Sequence, residues 1–194
     1  MTQEIEIEVK SLVDEPAFSQ LLQFLNKSMK QAVMQKNHYF ETTDQALKQA
    51  KSALRIREKN NTFTLTLKEP HQDGLLETHQ TLSSLEVDRA IKEGVIPRGE
   101  VMHQLKELDI NPATLSYLGT LTTERLECDY KNGALCFDKS TYLGQVDYEI
   151  EFEGNSLEHA THSLESLFSE IGIKQVPTPN KVQRFFERKQ ALND

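Results

Sequence analysis

Residues 4–10 read Glu-Ile-Glu-Ile-Glu-Val-Lys, and residues 147–153 read Asp-Tyr-Glu-Ile-Glu-Phe-Glu. Strict alternation of charged and apolar residues is the period of a β-strand, in which side chains two apart share a face. Glu4, Glu6, Glu8 and Lys10 therefore form one stripe, opposite Ile5, Ile7 and Val9. Late in the chain Asp147, Glu149, Glu151 and Glu153 oppose Val146, Tyr148, Ile150 and Phe152. Two middle segments repeat the pattern with the other sign. Arg55, Arg57 and Lys59 alternate with Leu54 and Ile56, and Lys68 shares a face with Thr64 and Thr66 opposite Phe63, Leu65 and Leu67.

One such strand is ordinarily the solvent face of a half-buried antiparallel sheet. Four of them with the signs sorted by strand ask for more. Same-face neighbours lie about 6.6 Å apart, and two carboxylates at that distance repel by about 2–3 kcal/mol at an effective dielectric near 20. Divalent cations would turn stacked carboxylates into a site, because hard cations take oxygen ligands. Stacked Arg and Lys suit phosphate oxygens, Arg through forked hydrogen bonds. A polyanion bridged to the acids by metal and held directly by the cations fits both sets.

Around these strands the sequence predicts a helix over 15–29 with Asp14 as N-cap and Pro16 in its first turn. A strand is expected over 32–40 and a short helix over 43–51. Strands over 52–59 and 62–69 are joined by an Asn60-Asn61 turn. Another strand covers 75–82, followed by two helices within 83–110 split by Pro97-Arg98-Gly99. Strands resume at 115–130, turn at Lys131-Asn132-Gly133, and continue over 134–139 and 145–153. A helix over 156–171 ends at Gly172, and a short one spans 181–189. Eight or so antiparallel strands with peripheral helices make a single α+β domain over residues 1–194, most economically a closed barrel.

The 194 residues carry a net charge of −8 and a pI near 5.3. That balance argues against nucleic-acid or anionic-membrane binding, which reward a basic surface. No apolar run is long enough for a membrane span, and the N-terminus has no signal-peptide pattern. A cytoplasmic location follows as the expectation, with Cys128 and Cys136 reduced and packed, not bridged. His159 and His162 share a helix face, but without a third ligand they read as solvated or capping residues. His38, His71, His79 and His103 are scattered and support no triad. Arg184, Arg188 and Lys189 read as a solvated helical face, with Arg184 the one that could reach a tunnel mouth.

The ordered landmarks resemble the CYTH domain, the triphosphate tunnel metalloenzyme family. Glu6-Ile7-Glu8-Val9-Lys10 matches its opening Glu-x-Glu-x-Lys signature. Tyr39-Phe40-Glu41-Thr42 resembles its Tyr-Phe-Asp-Thr, with Glu41 where the family usually has Asp. Leu54-Arg55-Ile56-Arg57 resembles its Leu-Arg-x-Arg, and Thr66-Leu67-Lys68 its lysine strand. Glu77, Arg125, Asp138, Glu149-Ile150-Glu151 and Lys181 fall at later landmarks, so the resemblance runs over about residues 4 to 186.

The resemblance implies a closed eight-stranded antiparallel tunnel that binds a small triphosphate with Mg²⁺ or Mn²⁺. Glu6, Glu8, Asp138, Glu149 and Glu151 would hold metal. Lys10, Arg55, Arg57, Lys68, Glu77, Arg125 and Lys181 would line the substrate site. Glu6, Glu149 and Lys10 would take the catalytic parts, and the chain would act on its own or as a homodimer. Hydrolysis of inorganic triphosphate, thiamine triphosphate or a nucleotide leads. With no Trp and 7% aromatic residues, no stacking platform for a base stands out. The alternatives are a class IV adenylyl cyclase and a binding module that senses polyphosphate without turnover.

Overall fold

A computed structural model describes residues 3–192. Nine strands occur among them: β1 (Gln3–Glu6), β2 (Glu8–Val13), β3 (Val33–Thr42), β4 (Ala53–Lys59), β5 (Thr62–His71), β6 (Gly74–Leu82), β7 (Leu115–Tyr130), β8 (Gly133–Tyr142) and β9 (Gln145–Glu153). Six α-helices accompany them: α1 (Glu15–Phe24), α2 (Ala46–Gln49), α3 (Ser84–Glu93), α4 (Glu100–Glu107), α5 (Leu157–Glu170) and α6 (Lys181–Ala191). The fold is antiparallel α+β, and the chain divides into two compact units. None of the described helices is long and apolar enough to cross a membrane.

The first unit contains the chain through Glu6 together with Gln35–Leu121. Its strand order is β1-β6-β5-β4-β3-β7. The apolar face of these strands, with Leu54, Ile56, Leu65 and Leu67 fully buried, packs with residues of α2, α3 and α4 such as Leu47, Val87, Ala90, Val101 and Leu105. Ser83 and Glu86 form a capping box at the start of α3, which satisfies two orphan amides at once. The second unit contains Ile7–Met34 and the chain from Thr122 onward, in the order β7-β8-β9-β2. Its core is Phe137, Ile150, Phe152, Leu164, Leu167 and Phe168, between the apolar sheet face and α1 and α5.

The single opening strand expected over residues 4–10 is two strands. Glu4 and Glu6 pair on β6 (Glu4 opposite Glu77). Glu8 and Lys10 pair on β9, opposite Glu153 and Glu151. Alternation in the sequence is blind to this change of partner at Ile7, because both halves keep the same period of two. The first helix is also shorter than expected. It ends at Phe24, and Asn26 takes a positive φ of 52° before a 3₁₀ turn over Met29–Gln31.

The hairpins follow turn chemistry. Lys59 is paired with Thr62, so Asn60 and Asn61 form a two-residue turn, both at positive φ (52° and 59°). This is the geometry that matches strand twist and that Asn tolerates. Lys131 and Asn132 do the same at 44° and 59°, with Tyr130 opposite Gly133. Gly133 is therefore the first residue of β8 and not part of the turn. It is needed for close approach: a Cβ there would lie 2.4 Å from the Glu153 carbonyl oxygen and 2.4 Å from the Phe152 ring.

Both cysteines are free. They lie on adjacent strands, but Cys128 pairs with Leu135 and Cys136 with Glu127, so they point to opposite faces of the sheet. Replacing Gly133→Ala should cost about 2 kcal/mol or more of unfolding free energy, because a backbone carbonyl and a buried ring must both shift. Urea unfolding of the variant measures it, and a loss below about 0.5 kcal/mol would refute the packing argument.

Candidate functional site

In the second unit, antiparallel register brings the charged stripes together. Lys10 lies opposite Glu151, and Glu151 opposite Cys136; Glu149 lies opposite Asp138, and Asp138 opposite Arg125. Asp138 and Glu149 are 0% exposed and Glu151 5%. Oxygen atoms of these three carboxylates lie within 4.8 Å of one another. Arg125 forks onto Asp138, its Nε donating to Oδ1 at 2.7 Å and its Nη2 to Oδ2 at 2.6 Å, and it also donates to Glu151. Lys10 pairs with Glu8.

Two more cations arrive on α6. The chain before it is pinned to β2: the Val176 amide donates to Ser11 Oγ at 3.0 Å, and the Leu12 amide donates to Thr178 Oγ1 at 2.8 Å. Asn180 then caps the helix, accepting from the Gln183 amide at 2.8 Å. This makes Lys181 the first helical residue and places Arg184 a turn further on. The Lys181 ammonium contacts Asp138 Oδ2 at 2.9 Å and donates to Glu149 and Glu151. Arg184, expected on a solvated face, is 8% exposed. Its Nε donates to Asp147 Oδ2 at 3.0 Å, and Nη1 donates to Glu149 and to the Pro179 carbonyl at 2.7 Å. Asp147 also accepts from the Tyr142 hydroxyl at 2.6 Å.

Burial pushes the Glu149 carboxyl up, and the neighbouring Glu151 adds to it; Lys181 and Arg184 oppose both, and the result is about 7. Glu151 is also penalised by burial, but Arg125 and Lys181 outweigh this and hold it well below the usual carboxylate range. The pair therefore retains one proton, on Glu149, into the neutral range. Burial opposes the charge of Arg125, but the carboxylates of Glu151 and Asp138 outweigh it and raise Arg125 well above its ordinary value. Three buried, convergent carboxylates are a donor set that suits a hard divalent cation. Asp138, Glu149 and Glu151 fit one on that ground.

The first unit carries its own polar face. Glu4, Glu77 and Lys68 lie in one cross-strand row, and Tyr39, Arg55, Thr66 and His79 in the next. Lys68 pairs with both Glu6 and Glu77. Burial pushes Glu77 up, but the charges of Lys68 and Arg55 outweigh it and hold the carboxyl at about 2. Arg57 Nε donates to Asn37 Oδ1 at 3.0 Å, whereas the buried Nε of Arg55 has no hydrogen-bond partner. His79 lies 3.0 Å from Glu4, 3.4 Å from Glu77 and 2.9 Å from Thr66 Oγ1. Ligand atoms of Glu4, Glu77 and His79 also lie within 4.8 Å of one another.

Of the five carboxylates expected to hold metal, the structure thus brings Asp138, Glu149 and Glu151 together. Glu6 is joined to Lys68 and Glu8 to Lys10. Of the cations, Arg125 and Lys181 sit against carboxylates of the second unit, and Arg55 and Lys68 beside Glu77 in the first. Sequence reasoning placed Asp147 in the acidic stripe and allowed Arg184 a tunnel mouth but assigned neither to the site, and it set His79 aside. Arg184 was legible as the residue one turn after Lys181, which a helix places on the same face. Glu41 has a structural job: its carboxylate accepts from the amides of Thr42, Leu47 and Lys48 at 2.8–3.0 Å and so caps α2. His159 likewise clamps a turn, its Nε2 2.7 Å from the Lys131 carbonyl.

Glu77 should leave a signature in acid. Its folded-state value lies below the ordinary 4.5, so the stability it contributes is full above 4.5 and is lost as pH falls toward about 2. That contribution is on the order of 3 kcal/mol. Unfolding free energies measured from pH 6 to pH 2 should fall less steeply for Glu77→Gln than for the wild type. Parallel curves would show that the Lys68 and Arg55 charges do not hold this carboxylate.

Comparison with known proteins gives a consistent result. The family model for the CYTH domain matches residues 4–186. The chain is 42% identical over 189 residues to a Bacillus subtilis protein described as "Putative triphosphatase YjbK", covering 97% of this chain and 98% of the relative. A crystal structure from Bacillus halodurans, described as a "putative adenylate cyclase", is 52% identical with a TM-score of 0.92, over 96% of this chain and 100% of that one. The Hippeastrum protein HpAC1, described as a "putative adenylyl cyclase" with a dominant triphosphatase activity, shares the fold at a TM-score of 0.76 and 22% identity, over 94% and 96% of the two chains. The chain belongs to the CYTH domain family.

Proposed function

We propose that the protein is a divalent-metal-dependent hydrolase of a small triphosphate, working in the cytoplasm inside a closed antiparallel barrel. The observation that carries this reading is the convergence of the buried carboxylates Asp138, Glu149 and Glu151 beside Arg125 and Lys181. Burying three acids costs several kcal/mol each unless cations offset them, and three carboxylates converging on one point are a donor set for a hard cation. The 42% identity to a relative described as a triphosphatase supports the same reading.

Asp138, Glu149 and Glu151 would hold the metal. When bound, Mg²⁺ or Mn²⁺ supplies neutralisation of phosphate oxygens and acidification of water. The chain's own cations do the rest. Arg55 has a buried N–H with no acceptor, and an anion satisfies it where nothing in the fold does. Arg57, Lys68, Arg125 and Lys181 carry the phosphate-binding parts that family resemblance implies, and Glu77 holds Lys68 and Arg55 charged and in place. Lys10 stabilises charge on the leaving group. Glu6 and Glu149 take the catalytic carboxylate parts.

A second reading is favoured by the description of the 52% identical relative as an adenylate cyclase. The two readings differ in product. With ATP and Mn²⁺, a cyclase releases pyrophosphate and cyclic AMP, whereas a hydrolase releases orthophosphate. A polyphosphate sensor binds without either. Incubation with inorganic triphosphate and Mg²⁺ or Mn²⁺ should release orthophosphate, and tight binding without release would defeat the enzyme reading. Glu149→Gln should reduce release at least 100-fold, the scale of losing an essential electrostatic group, while unfolding at pH 6 stays near the wild type. The Gln amide mimics the protonated carboxyl that Glu149 carries below about 7. Full activity in this variant would remove Glu149 from the mechanism.

A further inference from the structure

Lys181 stands in an unusual place for its charge. It is the first residue of α6, whose first turn contains no acidic side chain. A cation there faces the positive end of the helix dipole and the unsatisfied amides, an unfavourable position by local rules. When a residue breaks a local rule, the compensation lies in what it touches. Here it touches Asp138, Glu149 and Glu151, all three carboxylates of the convergent cluster.

An ammonium has three N–H donors and no others. With three carboxylates in contact, each donor has an acceptor and none remains for a phosphate oxygen. The phosphate-binding part implied for Lys181 by family resemblance and the position it occupies therefore exclude each other at one moment. Charge points the same way. Asp138, Asp147, Glu149 and Glu151 face Arg125, Lys181 and Arg184, while Lys10 is engaged by Glu8. Four carboxyl groups thus face three cations. A divalent ion in place of the ammonium, together with Arg125 and Arg184, matches all four as carboxylates.

We propose that the Lys181 ammonium is a built-in counter-ion that occupies the divalent-metal position among Asp138, Glu149 and Glu151, and that metal binding displaces it, freeing α6's first turn to meet a phosphate. This rests on the metal reading of those three carboxylates. Arg184 does not leave with Lys181 at once. It shares Glu149 with the cluster, but its Nε bond to Asp147 involves none of the three carboxylates. That bond keeps the helix attached to β9 while its first residue swings.

Calorimetric titration of Mn²⁺ alone into the full-length wild type, Lys181→Met and Lys181→Arg tests the competition without any turnover. Lys181→Met should bind Mn²⁺ about tenfold or more tightly than the wild type, the scale of an ordinary coupling between two ligands, and Lys181→Arg should not. A Met variant that binds no better than a wild type that does bind overturns the counter-ion and leaves the metal site intact. Absence of binding in all three proteins overturns the metal reading itself. Should the Met variant not fold, amide exchange in the wild type decides. Faster exchange over Lys181–Phe185 at saturating Mn²⁺ supports displacement, and unchanged exchange overturns it.

Discussion

Burial of like charges at strand spacing is the constraint around which the second unit is built. Glu149 and Glu151 share a face of β9, and the antiparallel register adds Asp138 from β8 beside them. All three are buried, so water cannot screen them and only fixed cations can. The cations come from two parts of the chain: Arg125 from the neighbouring strand, Lys181 and Arg184 from the last helix. The C-terminal segment is thereby obliged to return to this face. The Ser11–Val176 and Leu12–Thr178 bonds hold the return path against the outer edge of β2, where unpaired strand groups would otherwise stand open.

Because the cations reach the cluster from distant positions, its composition was only half legible in the sequence. The carboxylates announced themselves, since alternation alone puts Glu149 and Glu151 on one face. Strands were recovered for the same reason, and the limits of β7 and β9 match the alternating runs closely. What alternation cannot report is the partner. Glu6 and Glu8 sit two residues apart on an unbroken stripe, yet one pairs on β6 and the other on β9. Pairing is decided by long-range register, which a period of two leaves open.

The helices show the same division. Asp14 marked the start of α1, because caps act within three or four residues. The burial of Arg184 was hidden, since it depends on Asp147 and Glu149 some 35 residues earlier. A basic helical face reads as solvated until an acidic partner is known. His79 was likewise set aside as one of several scattered histidines. The strand period sets it beside Glu77, but only the β5–β6 and β1–β6 registers add Thr66 and Glu4.

The two units meet their buried charges in different ways. In the second, carboxylates outnumber the cations that reach them, and Glu149 relieves the excess by keeping its proton into the neutral range. In the first, Arg57 donates to the neutral amide of Asn37, and the buried Nε of Arg55 has no hydrogen-bond partner. Glu77 lies beside Arg55 and is engaged directly by Lys68. Each unit therefore sets charge against charge from its own strands and helices, Lys68 and Arg55 against Glu77 in the first, and Arg125, Lys181 and Arg184 against Asp138, Asp147, Glu149 and Glu151 in the second.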